Sequence, residues 1–306
     1  MNLNRRDFIK GSLATGAIAL SGVTNAQVAP ESMMHKPIPS TGEPLPMIGF
    51  GTNQYGTGTD ETIRATLMET LKVFTDNGGT MLDTSSHYRG SEGVLGGMLS
   101  EMQLSEAAFI STKAGQFDDL PLETKLNNSL AHFGLEQIDL YQIHNVAFQD
   151  WRNMLPQLEE WKQEGKIRYI GITGSEDLEH PEIAEAMRTH LIDFVQLNYN
   201  LGDRNIENEL LPLARDRGIA VVGNVPFGQG GLFSAVSGVE LPDFAKEFCL
   251  SWGNFFLKYI VSHPDMTATI PGTSKPHHAL DNVQAGMGRL PTASERKLQE
   301  EFLASL

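Results

Sequence analysis

Cysteine is almost absent: Cys249 is the single one in 306 residues. That excludes an intrachain disulfide and any cysteine-based metal centre. Cys249 lies in the apolar stretch "EFCLSW" and reads as a small core residue. Positive charge is also scarce. There are 23 Lys and Arg against 38 Asp and Glu, a net charge of −15. Such a surface repels phosphate backbones, which argues against nucleic acid as a partner. Several signatures are missing as well. No Gly-x-Gly-x-x-Gly follows the first strand-like run, which weighs against an open doubly wound sheet. "GFGTNQYGTG" is glycine-rich but has no Walker lysine. Neither Gly-x-Ser-x-Gly nor His-Glu-x-x-His occurs, and the adjacent His277 and His278 cannot both face one ion from a regular element. No metal site is therefore expected, and a metal-dependent or cofactor-free hydrolase is disfavoured.

What is present begins with "NRRDFIK", residues 4–10. A charged segment precedes Gly11 to Val23, a run of about a dozen small and apolar residues, too short for the roughly 20 of a membrane span. Thr24-Asn25-Ala26 offers small residues before a cleavage point after Ala26. Arg5-Arg6 followed by Asp7-Phe8-Ile9-Lys10 resembles the twin-arginine consensus. Residues 1–26 are thus expected to be an export signal read by the twin-arginine (Tat) translocation machinery, and the mature protein to be periplasmic, with no stable membrane insertion. That route carries folded proteins, typically with a cofactor already bound.

Eight short apolar runs bounded by turn residues read as strands: 47–52, 80–85, 108–114, 140–145, 169–174, 194–200, 220–227 and 267–274. Helical stretches separate them. One places Ile63, Leu67, Leu71 and Phe74 on a single face and stops at Asn77-Gly78. A second does so with Met154, Leu158 and Trp161, and stops at Gly165. A third ends at Gly218. Strands alternating with helices imply parallel pairing through right-handed crossovers. Eight units imply an α/β fold, a single-domain (β/α)8 TIM barrel over residues 45–306. "IPSTGEPLPMIG", centred on Thr41-Gly42, reads as an N-terminal β-hairpin within 27–44 that plugs the barrel floor. The long connection from Gly228 to about Pro242 is a candidate lid or cofactor loop. The acidic surface and the lack of heptads favour a monomer.

Barrel enzymes place their chemistry at the carboxyl ends of the strands. Asp83, Lys113 and His144 fall at the ends of the second, third and fourth runs, and Tyr88 follows the second. A lone Lys113 inside "FISTKAG" needs an acid nearby, and Asp83 on the adjacent strand can supply it. A tyrosine of pKa near 10 is a poor acid, and an ammonium within roughly 4–6 Å is expected to lower that pKa. His144 would hydrogen-bond a substrate oxygen beside the phenol. The set describes an acid that protonates a carbonyl oxygen while hydride, necessarily from a cofactor, reaches the carbon. Taken singly, each residue has a structural explanation, as a helix cap, a surface aromatic, a snorkelling lysine or a satisfied core histidine. Their joint placement at one rim makes coincidence a poor account.

"GGTMLDTSSHYRGSEGVLGGML", "ISTKAG", "IDLYQIH", "GKIRYIGIT", "FVQLNYN" and "IPGTSKPHHALDN" together resemble the aldo-keto reductase family, in the family's order and from about residue 45 to 285. The resemblance implies Asp83, Tyr88, Lys113 and His144 as a catalytic tetrad. It implies NADPH across the top of the barrel, with NAD(H) the lesser alternative, and a small carbonyl substrate. It implies a cofactor channel formed by Gly51, Thr52, Pro226, Gly228 and Ile270, with Thr173 and Gln196 at the nicotinamide carboxamide. Gly272, Thr273 and Ser274 would meet phosphate, Lys275 or His278 the 2′-phosphate, and Asn282 the adenine. Several positions differ from the family pattern. Gly174 stands where an Asn amide usually helps hold the carboxamide, and Asn224 where an aromatic ring usually stacks on the nicotinamide. Asn145-Val146 replaces a frequent Trp-Pro after the histidine. These differences keep a second function in view: a nucleotide-binding, catalytically slow sensor or interaction module on the same fold.

Overall fold

The computed structural model describes residues 32–115 and 120–306; the twin-arginine motif and the cleavage point lie outside them. Eight short strands run in sequence order: β3 (Phe50–Gly51), β4 (Met81–Asp83), β5 (Phe109–Ala114), β6 (Ile138–Ile143), β7 (Ile167–Thr173), β8 (Phe194–Asn198), β9 (Ala220–Asn224) and β10 (Ala268–Thr269). Each pairs in parallel with the next. Parallel bridges Ile48–Thr269 and Gly51–Gly272 join the two ends, so the sheet closes into the expected barrel. The strands at this seam are shorter than their apolar runs suggest. Only Phe50–Gly51 pairs within 47–52, and only Ala268–Thr269 within 267–274.

Every residue of β5 and β6 is buried, as in a sheet covered on both faces. Alternate side chains fill the interior: Met81, Phe109, Leu140, Tyr169, Phe194, Ala220, Val222, Ala268 and Ile270 form one cluster. Ile38 and Leu45 belong to it. They flank the turn between β1 (His35–Pro37) and β2 (Pro44–Pro46), an antiparallel hairpin. Gly42 in that turn has φ +75°, a conformation glycine adopts without steric cost. Thr41 Oγ1 and the Tyr169 hydroxyl, 2.9 Å apart, tie the turn to the barrel floor. The hairpin is therefore the plug the sequence implies, although β2 runs two residues past the boundary at 44.

The outer helices follow the 3.6-residue pattern, with local corrections. The helix α1 (Glu61–Asp76) starts at Asp60, whose carboxylate accepts from Thr62 N and Ile63 N at 2.9 and 3.0 Å. Leu67, Leu71 and Phe74 are buried, but Ile63 is 43% exposed, because the first turn precedes the stretch that packs on the sheet. In the helix Trp151–Gln163, Leu155 rather than Met154 fills the core beside Leu158 and Trp161. Cys249 is buried in the outer core, and burial pushes its thiol up to about 12, so it is unreactive packing. No described helix is long and apolar enough to cross a membrane.

Candidate active site

The carboxyl ends of β4, β5 and β6 bring the expected ionisable groups together. Asp83 ends β4, Lys113 lies in β5, and His144 follows β6 directly; all three are buried. The register explains the contact: Asp83 pairs with Ser111, so Lys113 reaches back across one strand. Lys113 Nζ donates to Asp83 Oδ2 at 2.6 Å and to the Thr84 carbonyl at 2.8 Å. Ser111 Oγ and Gln196 Nε2 donate to the other oxygen, Oδ1, at 2.8 and 2.9 Å. The carboxylate thus accepts from three side-chain donors. Burial alone would discharge Lys113; Asp83 and Tyr88 more than offset this and leave its pKa above the ordinary value.

Tyr88 sits in the loop after β4, with Lys113 Nζ 5.2 Å from its ring centroid and the His144 ring 5.7 Å away, edge-on. The loop is fixed from outside. Gly56 packs so closely that a Cβ there would fall 2.2 Å from the Arg89 carbonyl oxygen, and Gly56 N donates to Ser91 Oγ at 2.9 Å. The phenol's pKa is raised, not lowered as the sequence suggests. Burial pushes it up, Lys113 pulls it down, and Asp83 cancels part of that pull. The phenol is therefore held protonated, with the Lys113 ammonium beside its ring.

His144 is driven down to about 3, first by burial and then by Lys113 and His87. It is a neutral imidazole at any physiological pH, with Nδ1 3.1 Å from Ser85 Oγ. Between pH 6.5 and about 3 the unfolded chain binds a proton that the folded histidine refuses. Stability is lost as pH falls through that window, by up to about 1.4 kcal/mol per pH unit. Urea unfolding at pH 7 and pH 5 should therefore show a smaller loss in His144→Gln than in wild type; equal losses would contradict the assignment.

These groups open onto a cavity of about 660 Å³. Its lining contains Asp83, Tyr88 and His144, together with Gly51, Thr52, Thr173, Gln196, Asn224, Pro226, Ile270 and Gly272. A second cavity of about 190 Å³ adjoins it, sharing Gly51, Asn53, Gln54 and Gly272, and extends to Thr273, Ser274, Lys275 and His278. It ends where the helix Pro276–Gln284 begins, and the first turn of a helix offers free N–H groups to phosphate. Burial, then His277 and Lys275, lower the His278 pKa, which leaves Lys275 as the cation at this end. The two cavities adjoin to form one channel of dinucleotide size, with the ionisable cluster at one end and the start of the helix Pro276–Gln284 at the other.

Two expected cofactor positions lie off the channel. Asn282 is buried within its helix, and Gly228 does not line either cavity; its neighbours Gln229 and Gly230 do. The Gly228–Pro242 connection contains a short helix, Gly231–Ala235, and its opening turn forms the channel wall. Asn53, Gln54, Ser175, Val225 and Phe227 also line the channel, unforeseen, as does Asn145, the position where the family often has Trp after the histidine. All six stand within three residues of a strand's carboxyl end, the one signal that would have found them.

A closed barrel with a lysine-paired tyrosine at its carboxyl rim and a dinucleotide-sized channel defines a class of oxidoreductase, and comparison with known proteins agrees. The chain belongs to the aldo/keto reductase family, whose model matches residues 47–300. Residues 2–22 match the model of the twin-arginine translocation pathway signal sequence. An NADH-specific methylglyoxal reductase from Escherichia coli is 26% identical, over 81% of this chain and 92% of its own length. L-galactose dehydrogenase from Arabidopsis thaliana is also 26% identical, over 80% and 86%. Among solved structures, the holo form of an aldo-keto reductase from Bacillus halodurans is 25% identical, with a TM-score of 0.71 over 89% of this chain and 96% of that one. An aldo/keto reductase from Klebsiella pneumoniae in complex with NADP and acetate shares the fold at 21% identity, with a TM-score of 0.70 over 86% and 93%.

Proposed function

We propose that this protein is an exported NADPH-dependent reductase of small aldehydes or ketones. The observation that carries the reading is the buried Asp83–Lys113 pair, at 2.6 Å, set against a protonated Tyr88 and a neutral His144 on the wall of a dinucleotide-sized channel. The residues present fit the cofactor. Gly51 and Gly272 approach so closely that a Cβ on Gly51 would stand 3.3 Å from Gly272 Cα, which leaves the backbone bare along the channel. Thr273, Ser274, Lys275 and the helix N-terminus supply phosphate donors. Related proteins named as acting with NADH or crystallised with NADP agree with a nicotinamide nucleotide.

Bound NADPH would supply the hydride to the carbonyl carbon. The substrate oxygen accepts hydrogen bonds from the Tyr88 hydroxyl and the neutral His144 ring. Tyr88 releases its proton to that oxygen as negative charge develops there, and Lys113 stabilises the phenolate. Asp83 keeps Lys113 charged and in place. Oxidation of added NADPH in the presence of an aldehyde panel tests the reading: turnover on at least one short-chain aldehyde supports it. Tight nucleotide binding with no turnover on any carbonyl would favour the sensor alternative.

The signal match supports export through the twin-arginine machinery; with cleavage after Ala26 the mature chain starts at Gln27 and works in the periplasm. Arg5→Lys with Arg6→Lys should abolish export and leave a full-length chain in the cytoplasm, read by fractionation and intact mass. Export of the double variant at wild-type level would contradict the route. Periplasmic work also requires that reduced nucleotide arrive with the folded protein and be retained, or be regenerated by a partner. Rapid loss of bound NADP on dialysis would rule out retention.

A further inference from the structure

Three residues with amide or hydroxyl side chains line the channel on the adjacent strands β7, β8 and β9: Thr173, Gln196 and Asn224. Strand pairing sets Thr173 against Gln196, and Asn198 against Asn224. Asn224 Nδ2 donates to the Gly174 carbonyl at 2.9 Å. That bond fixes the orientation of the amide, because a carbonyl oxygen can only accept. The other amide atom, Oδ1, is buried and has no hydrogen-bond partner. Among the described residues, Asn224 is the only channel-lining residue that carries such an orphaned buried polar atom.

The orphan is held in place. The Asn224 carbonyl accepts from Tyr199 N at 3.3 Å. The next residue, Val225, has φ +49°, a strained conformation for a β-branched residue, and Asn200 Nδ2 donates to its carbonyl at 3.1 Å. Gly174 contributes only backbone, since a Cβ there would lie 2.5 Å from Ile183 Cδ1. A buried acceptor kept unpaired costs free energy unless a donor comes to it.

The neighbouring groups define that donor's chemistry. Thr173 Oγ1 accepts from Asn145 N at 2.8 Å, so its proton is left to donate. Gln196 spends an N–H on Asp83. The wall thus offers a hydroxyl donor beside an amide acceptor. A primary carboxamide, with one C=O and one NH2, matches both.

We propose that Asn224 binds the nicotinamide carboxamide, its Oδ1 accepting from the carboxamide NH2 while the Thr173 hydroxyl donates to the carboxamide oxygen. The proposal rests on the nucleotide-dependent reading given above. It assigns the carboxamide contact to the end of β9 in place of a side chain at Gly174, and it makes Asn224 a determinant of how the ring is oriented toward the substrate.

Three probes separate the contributions in fluorescence titrations of the mature protein: NADP+; its 3-acetylpyridine analogue, in which a methyl replaces the NH2; and 2′,5′-ADP, which lacks the ring. Wild type should bind NADP+ about five- to tenfold more tightly than the acetylpyridine analogue, the effect of one neutral hydrogen bond. In Asn224→Leu and Asn224→Ala that ratio should fall to about 1 through loss of NADP+ affinity, with 2′,5′-ADP binding unchanged. A wild-type ratio near 1, or a ratio preserved in either variant, overturns the assignment of Asn224. Failure of wild type to bind 2′,5′-ADP and NADP+ at all overturns the nucleotide reading itself.

Discussion

Tyr88→Phe is expected to bind NADPH with wild-type affinity and to reduce aldehydes about 10²- to 10⁴-fold more slowly, the range a positioned general acid supplies. The substitution removes one oxygen and leaves the edge-on ring contact with His144 available to Phe. Loss of rate therefore reports the proton and not the fold. The pH dependence should be distinctive as well. The folded phenol titrates above its ordinary value, so the acid stays protonated through neutral pH and carbonyl reduction should decline only at strongly alkaline pH. His144 stays neutral down to about 3 and contributes no limb between pH 5 and 8. Full activity in Tyr88→Phe, or a limb near pH 6.5 that His144→Gln removes, would break the assignment.

Asp83→Asn should be the most destabilising single change at the site, by about 3–5 kcal/mol, because it leaves the Lys113 ammonium buried without its counter-charge. Lys113→Met should also destabilise, leaving Asp83 with Ser111 and Gln196 as donors but without a cation. The double variant should be less destabilised than the sum of the two, since both charges leave together. Urea unfolding of the four proteins measures this directly. Additive losses would show that the pair does not act as a unit. Lys113→Met should in addition slow carbonyl reduction to a degree comparable with Tyr88→Phe, because the phenolate loses its stabilising charge.

Much of this was legible from particular residues. A lone lysine in "FISTKAG" requires a carboxylate, and the neighbouring strand had one at the matching depth. Thr41-Gly42 required a turn, and Gly42 adopts the expected positive φ. The order of eight apolar runs gave the order of the strands. Other features depended on registers and distances that a chain does not display. The sign of the Tyr88 shift is set by a competition between burial and Lys113, and only the lysine could be read in advance. Gln196 looked free for a cofactor but already donates to Asp83. Asn224 looked like the loss of an aromatic; its amide bond to Gly174 follows from the meeting of β7, β8 and β9, 50 residues apart in the chain. Run 267–274 is rich in β-formers, yet only two residues pair along β10, with the Gly51–Gly272 bridge beyond them.

In the proposed reaction hydride reaches the carbonyl carbon from the nicotinamide ring while Tyr88 protonates the oxygen. Reduction of an aldehyde with NADPH deuterated at the transferring position of C4, followed by mass spectrometry of the alcohol, tests it most directly. The alcohol should carry one deuterium, bound to the carbinol carbon, and Tyr88→Phe should yield almost no alcohol under the same conditions. An alcohol without carbon-bound deuterium, or equal yield from the variant, would contradict it.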